Sequence, residues 1–89
     1  MDIDDDDVRE VLHRLHRVQG QVGAIARMIE EGRGCREVAR QLAAAERALE
    51  RASARYLVAN LTACLRDEPA AEAEGYSVEQ IERLLVDLA

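Results

Sequence analysis

Residues 35–66 read CREVARQLAAAERALERASARYLVANLTACLR, thirty-two positions without a glycine or a proline. Ala, Leu, Arg and Glu dominate the stretch, and all are good helix formers. Its apolar residues recur in alternating steps of four and three: Val38, Leu42, Ala45, Leu49, Ala52, Tyr56, Ala59 and Ala63. A seam repeating every seven residues marks a helix packed along its length on other helices. At 1.5 Å per residue, Cys35 and Cys64 stand roughly 43 Å apart on this rod and cannot meet within it.

They can meet between two rods. At about 100° per residue, Cys35, Asn60 and Cys64 project within roughly 40° of one another, beside the apolar seam. In an antiparallel pair crossing near Leu49 and Glu50, the Cys35 end of one chain lies against the Asn60–Cys64 end of the other. The two-fold axis then generates two equivalent cysteine pairs. The alternative is a pair of buried structural cysteines, a common fate of free thiols on helices.

Upstream, Val8, Val11, Leu15, Val18, Val22, Ile25 and Ile29 give a second seam of the same kind. Asp7 with Glu10 forms a capping box, so a first helix is expected from about Val8 to Glu31. Gly32 and Gly34 end it, and so short a connection makes the two long helices antiparallel neighbours. Residues 1–6 are expected to be a disordered acidic arm. Residues 67–76 hold Pro69, Gly75 and four acids, and are expected to be a linker. Ser77 with Gln80 is another capping box, opening a third helix that carries Val78, Ile81, Leu84, Leu85 and Leu88 on one face. The expectation is one all-α domain over residues 1–89, three helices per chain, with two chains completing an antiparallel four-helix bundle.

The 89-residue chain has a formal charge of −6, which at first argues against a nucleic-acid partner. The charge is unevenly spread. Residues 1–7 carry five Asp and no base; residues 8–55 carry ten Arg against six Glu; residues 56–89 carry two Arg against seven acids. The two-helix body is therefore basic. Arg36, Arg40, Arg47, Arg51 and Arg55 fall within roughly 100° of the second helix, opposite its seam. Arg9, Arg17 and Arg27 line the first, with His13 and His16 nearby. Such a field suits a phosphate backbone. The competing reading is a solvated face partnered by Glu37, Glu46 and Glu50. No apolar run is long enough to span a bilayer and the N-terminus is acidic, so a cytoplasmic protein is expected, where thiols stay reduced.

Two cysteines in that setting read as reactive or metal-binding. Cys35 opens the long helix between Arg33 and Arg36, where the helix N-terminus and the cations favour a thiolate. Cys64 lies near the helix C-terminus, where the dipole opposes one, and reads as the resolving partner. Two thiolates suit Cu(I) or Zn(II), but the third donor in reach, the Asn60 amide, suits a soft cation poorly. A thiol pair without an imidazole favours redox or sulfur chemistry over metal capture.

The run Arg14-Leu15-His16-Arg17-Val18-Gln19-Gly20-Gln21-Val22, then Ile25, Arg27-Met28-Ile29-Glu30, Gly34-Cys35, Leu49-Glu50-Arg51-Ala52, Asn60 and Cys64 resembles the CsoR/RcnR family of bacterial repressors over nearly the whole chain. The resemblance implies an all-α regulator rather than an enzyme. It implies antiparallel dimers that pair into tetramers, operator DNA bound without a helix-turn-helix, and a sensing site built across the dimer. Arg14, Arg17, Arg51 and Arg55 are the residues expected on the DNA.

This chain departs from the family's copper sensors, which carry His where Asn60 stands, often Tyr where Gly34 stands, and a third-helix Glu where Arg83 aligns. The nickel/cobalt and formaldehyde branches need His or Pro near the N-terminus and His in place of Asn60; here stand Asp2, Ile3 and Asn60. What remains is a two-cysteine sensor similar to the persulfide-responsive CstR-type branch. The expected inducer is thus a reactive sulfur species, joining Cys35 to Cys64 of the partner with no cofactor. The alternatives are a Cu(I) sensor using the same two thiols, and a helical module that binds protein.

Overall fold

The computed structural model describes residues 2–88. Among them are four helices and no strand: α1 (Asp5–Glu30), α2 (Cys35–Arg66), α3 (Glu68–Ala73) and α4 (Val78–Leu88). The long helix has the bounds expected of it. The first starts earlier than Val8. Asp4 is its N-cap, the carboxylate accepting from the Asp6 backbone N–H at 3.0 Å, and Asp5, Asp6 and Asp7 occupy the first turn. Three carboxylates there complement the positive end of the helix dipole. The acidic arm expected over residues 1–6 is therefore helical at Asp5 and Asp6, while Met1 lies outside the described residues.

Gly32, at φ 73°, supplies the left-handed residue that stops α1. The Arg33 backbone N–H reaches back to the Met28 carbonyl at 2.9 Å, and α2 begins at Cys35. The two long helices pack as an antiparallel hairpin. Each seam divides into two registers. Val11, Val18 and Ile25 of α1 are buried, as are Ala45, Ala52 and Ala59 of α2. The other register faces out: Leu15, Val22 and Ile29 on α1, and Leu42, Leu49 and Tyr56 on α2. The Cα trace spans 54 × 24 × 15 Å.

The segment expected to be a linker contains α3. Asp67 caps it, accepting from the Ala70 backbone N–H at 3.2 Å, and Pro69 sits in its first turn. Proline is tolerated there because the first helical N–H groups have no intrahelical partner. Gly75, at φ 90°, turns the chain, and the Ser77 hydroxyl accepts from the Gln80 backbone N–H at 3.2 Å to start α4. Helices α3 and α4 fold back over the end of α2. Cys64, Ala71 and Ile81 form a small core there, with Leu61 and Val78 against it. No helix among the described residues is long and apolar enough to cross a membrane.

Candidate functional site

The two thiols occupy opposite ends of α2 in opposite surroundings. Cys35 is the first residue of the helix and is exposed. Cys64 is buried, 1% exposed, beneath α3 and α4. A straight helix of this length holds them roughly 43 Å apart, so one chain cannot link them. Within the chain, no three His, Cys, Asp or Glu side chains among the described residues gather in a metal-binding group.

Cys64 lines a cavity of about 320 Å³ with Glu68 and Glu72 from α3, Tyr76 and Ser77 from the turn, and Glu79 from α4. Burial pushes its thiol upward from the ordinary value of 9.0, and the carboxylates of Glu68, Glu72 and Glu79 push it further the same way. All four influences disfavour the thiolate. One turn earlier, the Asn60 amide nitrogen donates to the Tyr56 carbonyl at 2.8 Å. The one donor atom this side chain can offer a metal is its amide oxygen, a hard ligand for a soft cation.

At the other end, the Arg33 guanidinium near Cys35 in sequence has carboxylate partners. It pairs with Glu37, donating through Nε at 3.2 Å and also through Nη2, and it approaches Glu31 at 3.8 Å. The i,i+4 spacing of Arg33 and Glu37 makes that pairing available on the helix surface. What separates the thiols is therefore access and the acidity around Cys64.

A second constellation lies midway along the hairpin. Arg14, Arg17 and Gln21 of α1 and Arg47 and Arg51 of α2 line one cleft of about 220 Å³. Arg17, Arg47 and Arg51 make no ion pair among the described residues; Arg14 pairs with Glu10 at 3.0 Å. Arg55, expected in the same set, lies off this cleft and also pairs with Glu10. Glu46 and Glu50, the partners a purely solvated stripe would use, pair with no arginine among the described residues. Arg47 was legible only as one member of the stripe. Its i,i+4 relation to Arg51, facing the Arg14–Arg17–Gln21 run, is the signal that marks it. His13 and His16 are exposed on α1.

The sequence matches the family described as metal-sensitive transcriptional repressor over residues 7–87. It is similar to the copper-sensing transcriptional repressor RicR of Mycobacterium tuberculosis (strain ATCC 25618 / H37Rv), at 44% identity over 52 residues. That alignment covers 58% of this chain and 54% of RicR, so the matched part spans about half the length of the relative. No solved structure matches. With all but the ends of the chain inside the family match, and an all-helical fold beneath it, the protein belongs to the metal-sensitive transcriptional repressors, the CsoR/RcnR family.

Proposed function

We propose that this protein is a cytoplasmic operator-binding repressor whose sensor is Cys35 of one subunit with Cys64 of an antiparallel partner. It acts by binding and release, not by turnover. The observation that carries the reading is the placement of both thiols at the ends of one unbroken helix, with four cationic side chains in a cleft at its middle. The outward register of Leu15, Val22, Ile29, Leu42, Leu49 and Tyr56 supports a second chain packed on the hairpin, and a tetramer of two such dimers.

Two inducers fit two thiols. A metal ion is favoured by the family and Cu(I) by the copper-sensing relative, and thiolates are the ligands such a soft ion selects. Cys35 and Cys64 would hold it, and it would tie the two subunits through sulfur without a redox change. A reactive sulfur species is favoured by Asn60, which offers no imidazole to complete a three-donor site. In that chemistry the polysulfide is the oxidant. Its terminal sulfur passes to Cys35, and a shortened polysulfide leaves with the thiol's proton. Cys64 of the partner subunit then displaces hydrogen sulfide from the persulfide, leaving a disulfide.

Intact-mass measurement paired with operator binding tests both. Under Cu(I), retained copper with loss of DNA and no covalent dimer supports the copper reading. Under polysulfide, a covalent dimer that has lost the operator supports the sulfur reading; Cys64→Ala should then stop at a persulfide on Cys35, and Cys35→Ala should show neither. A protein that keeps its operator under both treatments overturns the thiol sensor.

A further inference from the structure

Helices α3 and α4 do more than bury Cys64. Of the cavity's lining residues, three are carboxylates, contributed by two different helices, and all three act on the same thiol through their charge. Glu68 and Glu72 are one turn apart on α3, and Glu79 enters from the first turn of α4. The end of α2 adds to their effect, since Cys64 lies in its last turns, where the helix dipole is negative. The cation nearest in sequence, Arg66, is exposed and makes no ion pair with these carboxylates among the described residues. Apolar contacts among Ala71, Ile81, Leu61 and Val78 hold this cap in place over the thiol.

The geometry points to a charge-selective cover: Glu68, Glu72 and Glu79 exclude anionic reagents from Cys64, so that an anionic inducer must load on Cys35, and Cys64 is reached directly by neutral or cationic species. Like charges raise the local free energy of an approaching anion and lower that of a cation. Polysulfides and hydropersulfides are anions near neutral pH; Cu(I) is a cation. The cover thus imposes an order on the sulfur route, Cys35 first, and imposes none on a cationic metal. This inference rests on Cys35 and Cys64 being the sensing pair, but its test reads Cys64 alone, without operator or inducer.

The test is alkylation of Cys64 in Cys35→Ala protein by neutral iodoacetamide and by anionic iodoacetate, followed by mass spectrometry. The ratio of the two rates cancels how often the cap opens, since both reagents need the same opening. At low ionic strength the parent ratio should exceed that of an unstructured cysteine peptide at least about threefold, and should fall toward the peptide value at 1 M salt, where screening acts within about 3 Å. Glu68→Gln, Glu72→Gln and Glu79→Gln together should bring it to the peptide value at low salt. A parent ratio equal to that of the peptide, or one indifferent to salt, overturns the cover even if the triple variant fails to fold. If the ratio behaves as expected while Cu(I) and polysulfide leave operator binding intact, the cover stands and the sensing function falls.

Discussion

Arg55 of α2 reaches across the hairpin to Glu10 of α1, donating through Nη2 to a carboxylate that Arg14 also holds at 3.0 Å. The two residues are 45 positions apart, so the contact joins α2 to α1. The hydrogen bonds from Arg14 and Arg55 hold Glu10 below the ordinary carboxylate value of 4.5. A depressed folded value means that stability is present above the unfolded value and is lost as pH falls through the folded one. Glu10→Gln should therefore lower the neutral plateau of a melting-temperature profile slightly, because the pair is exposed, and flatten the acid limb below about pH 4.5 by the same small amount, so that parent and variant converge in acid. An acid limb identical to the parent's would mean the contact is idle.

Operator binding should rank the arginines by position. Arg47→Ala and Arg51→Ala remove unpaired cations from the cleft, and each should weaken binding and reduce the log–log salt slope by about one. Arg17→Ala should do the same. Arg55→Ala should cost less, since its charge is already matched by Glu10. Circular dichroism should show unchanged helicity in all four. Equal losses at Arg55 and Arg51 would place the DNA off the cleft.

Asn60→His should tighten Cu(I) binding, because imidazole supplies the nitrogen donor that an amide lacks. Competition with a Cu(I) chelator measures it. Tight binding by the parent, unmoved by the substitution, would mean that two thiols suffice.

Ile81→Ala should loosen the cap without breaking the hairpin. The side chain is 2% exposed, and truncating a buried isoleucine costs about 2–5 kcal/mol. The expected signature is faster alkylation of Cys64 by both reagents in proportion, with α1 and α2 still protected in hydrogen exchange. Unchanged Cys64 reactivity would show that the α3–α4 core is not what shelters the thiol.

Much of this architecture is legible in the sequence because it is local. Residues 35–66 announce one helix through the absence of any breaker, and Ser77 with Gln80 announces the start of another. Helix α3 is hidden because Pro69, Gly75 and four acids are also the vocabulary of a loop; the clue was Asp67 two residues before a proline, a cap with its first-turn partner. Nothing in the spacing of Leu42 and Ala45 says which faces inward, since both belong to the same seam. Only the fold shows it: Ala45, Ala52 and Ala59 are buried, as are Val11, Val18 and Ile25, and the leucines are left outside. The pairing of Arg33 with Glu37 is local, an i,i+4 relation that the spacing alone allows. The Arg55–Glu10 contact needs the helix register and has no local sign at all.

A helix of 32 residues with no proline or glycine has no built-in place to kink. Stress applied to either end of α2 is passed on to whatever α2 packs against. Arg47 and Arg51 stand near its midpoint, close to the fulcrum of any tilt, where a swinging rod moves its side chains least. Rolling the rod about its own axis carries those guanidinium groups through a full arc wherever they sit. Mechanically, α2 is a poor lever and a good axle, and a message sent from its ends to its centre travels best as a turn.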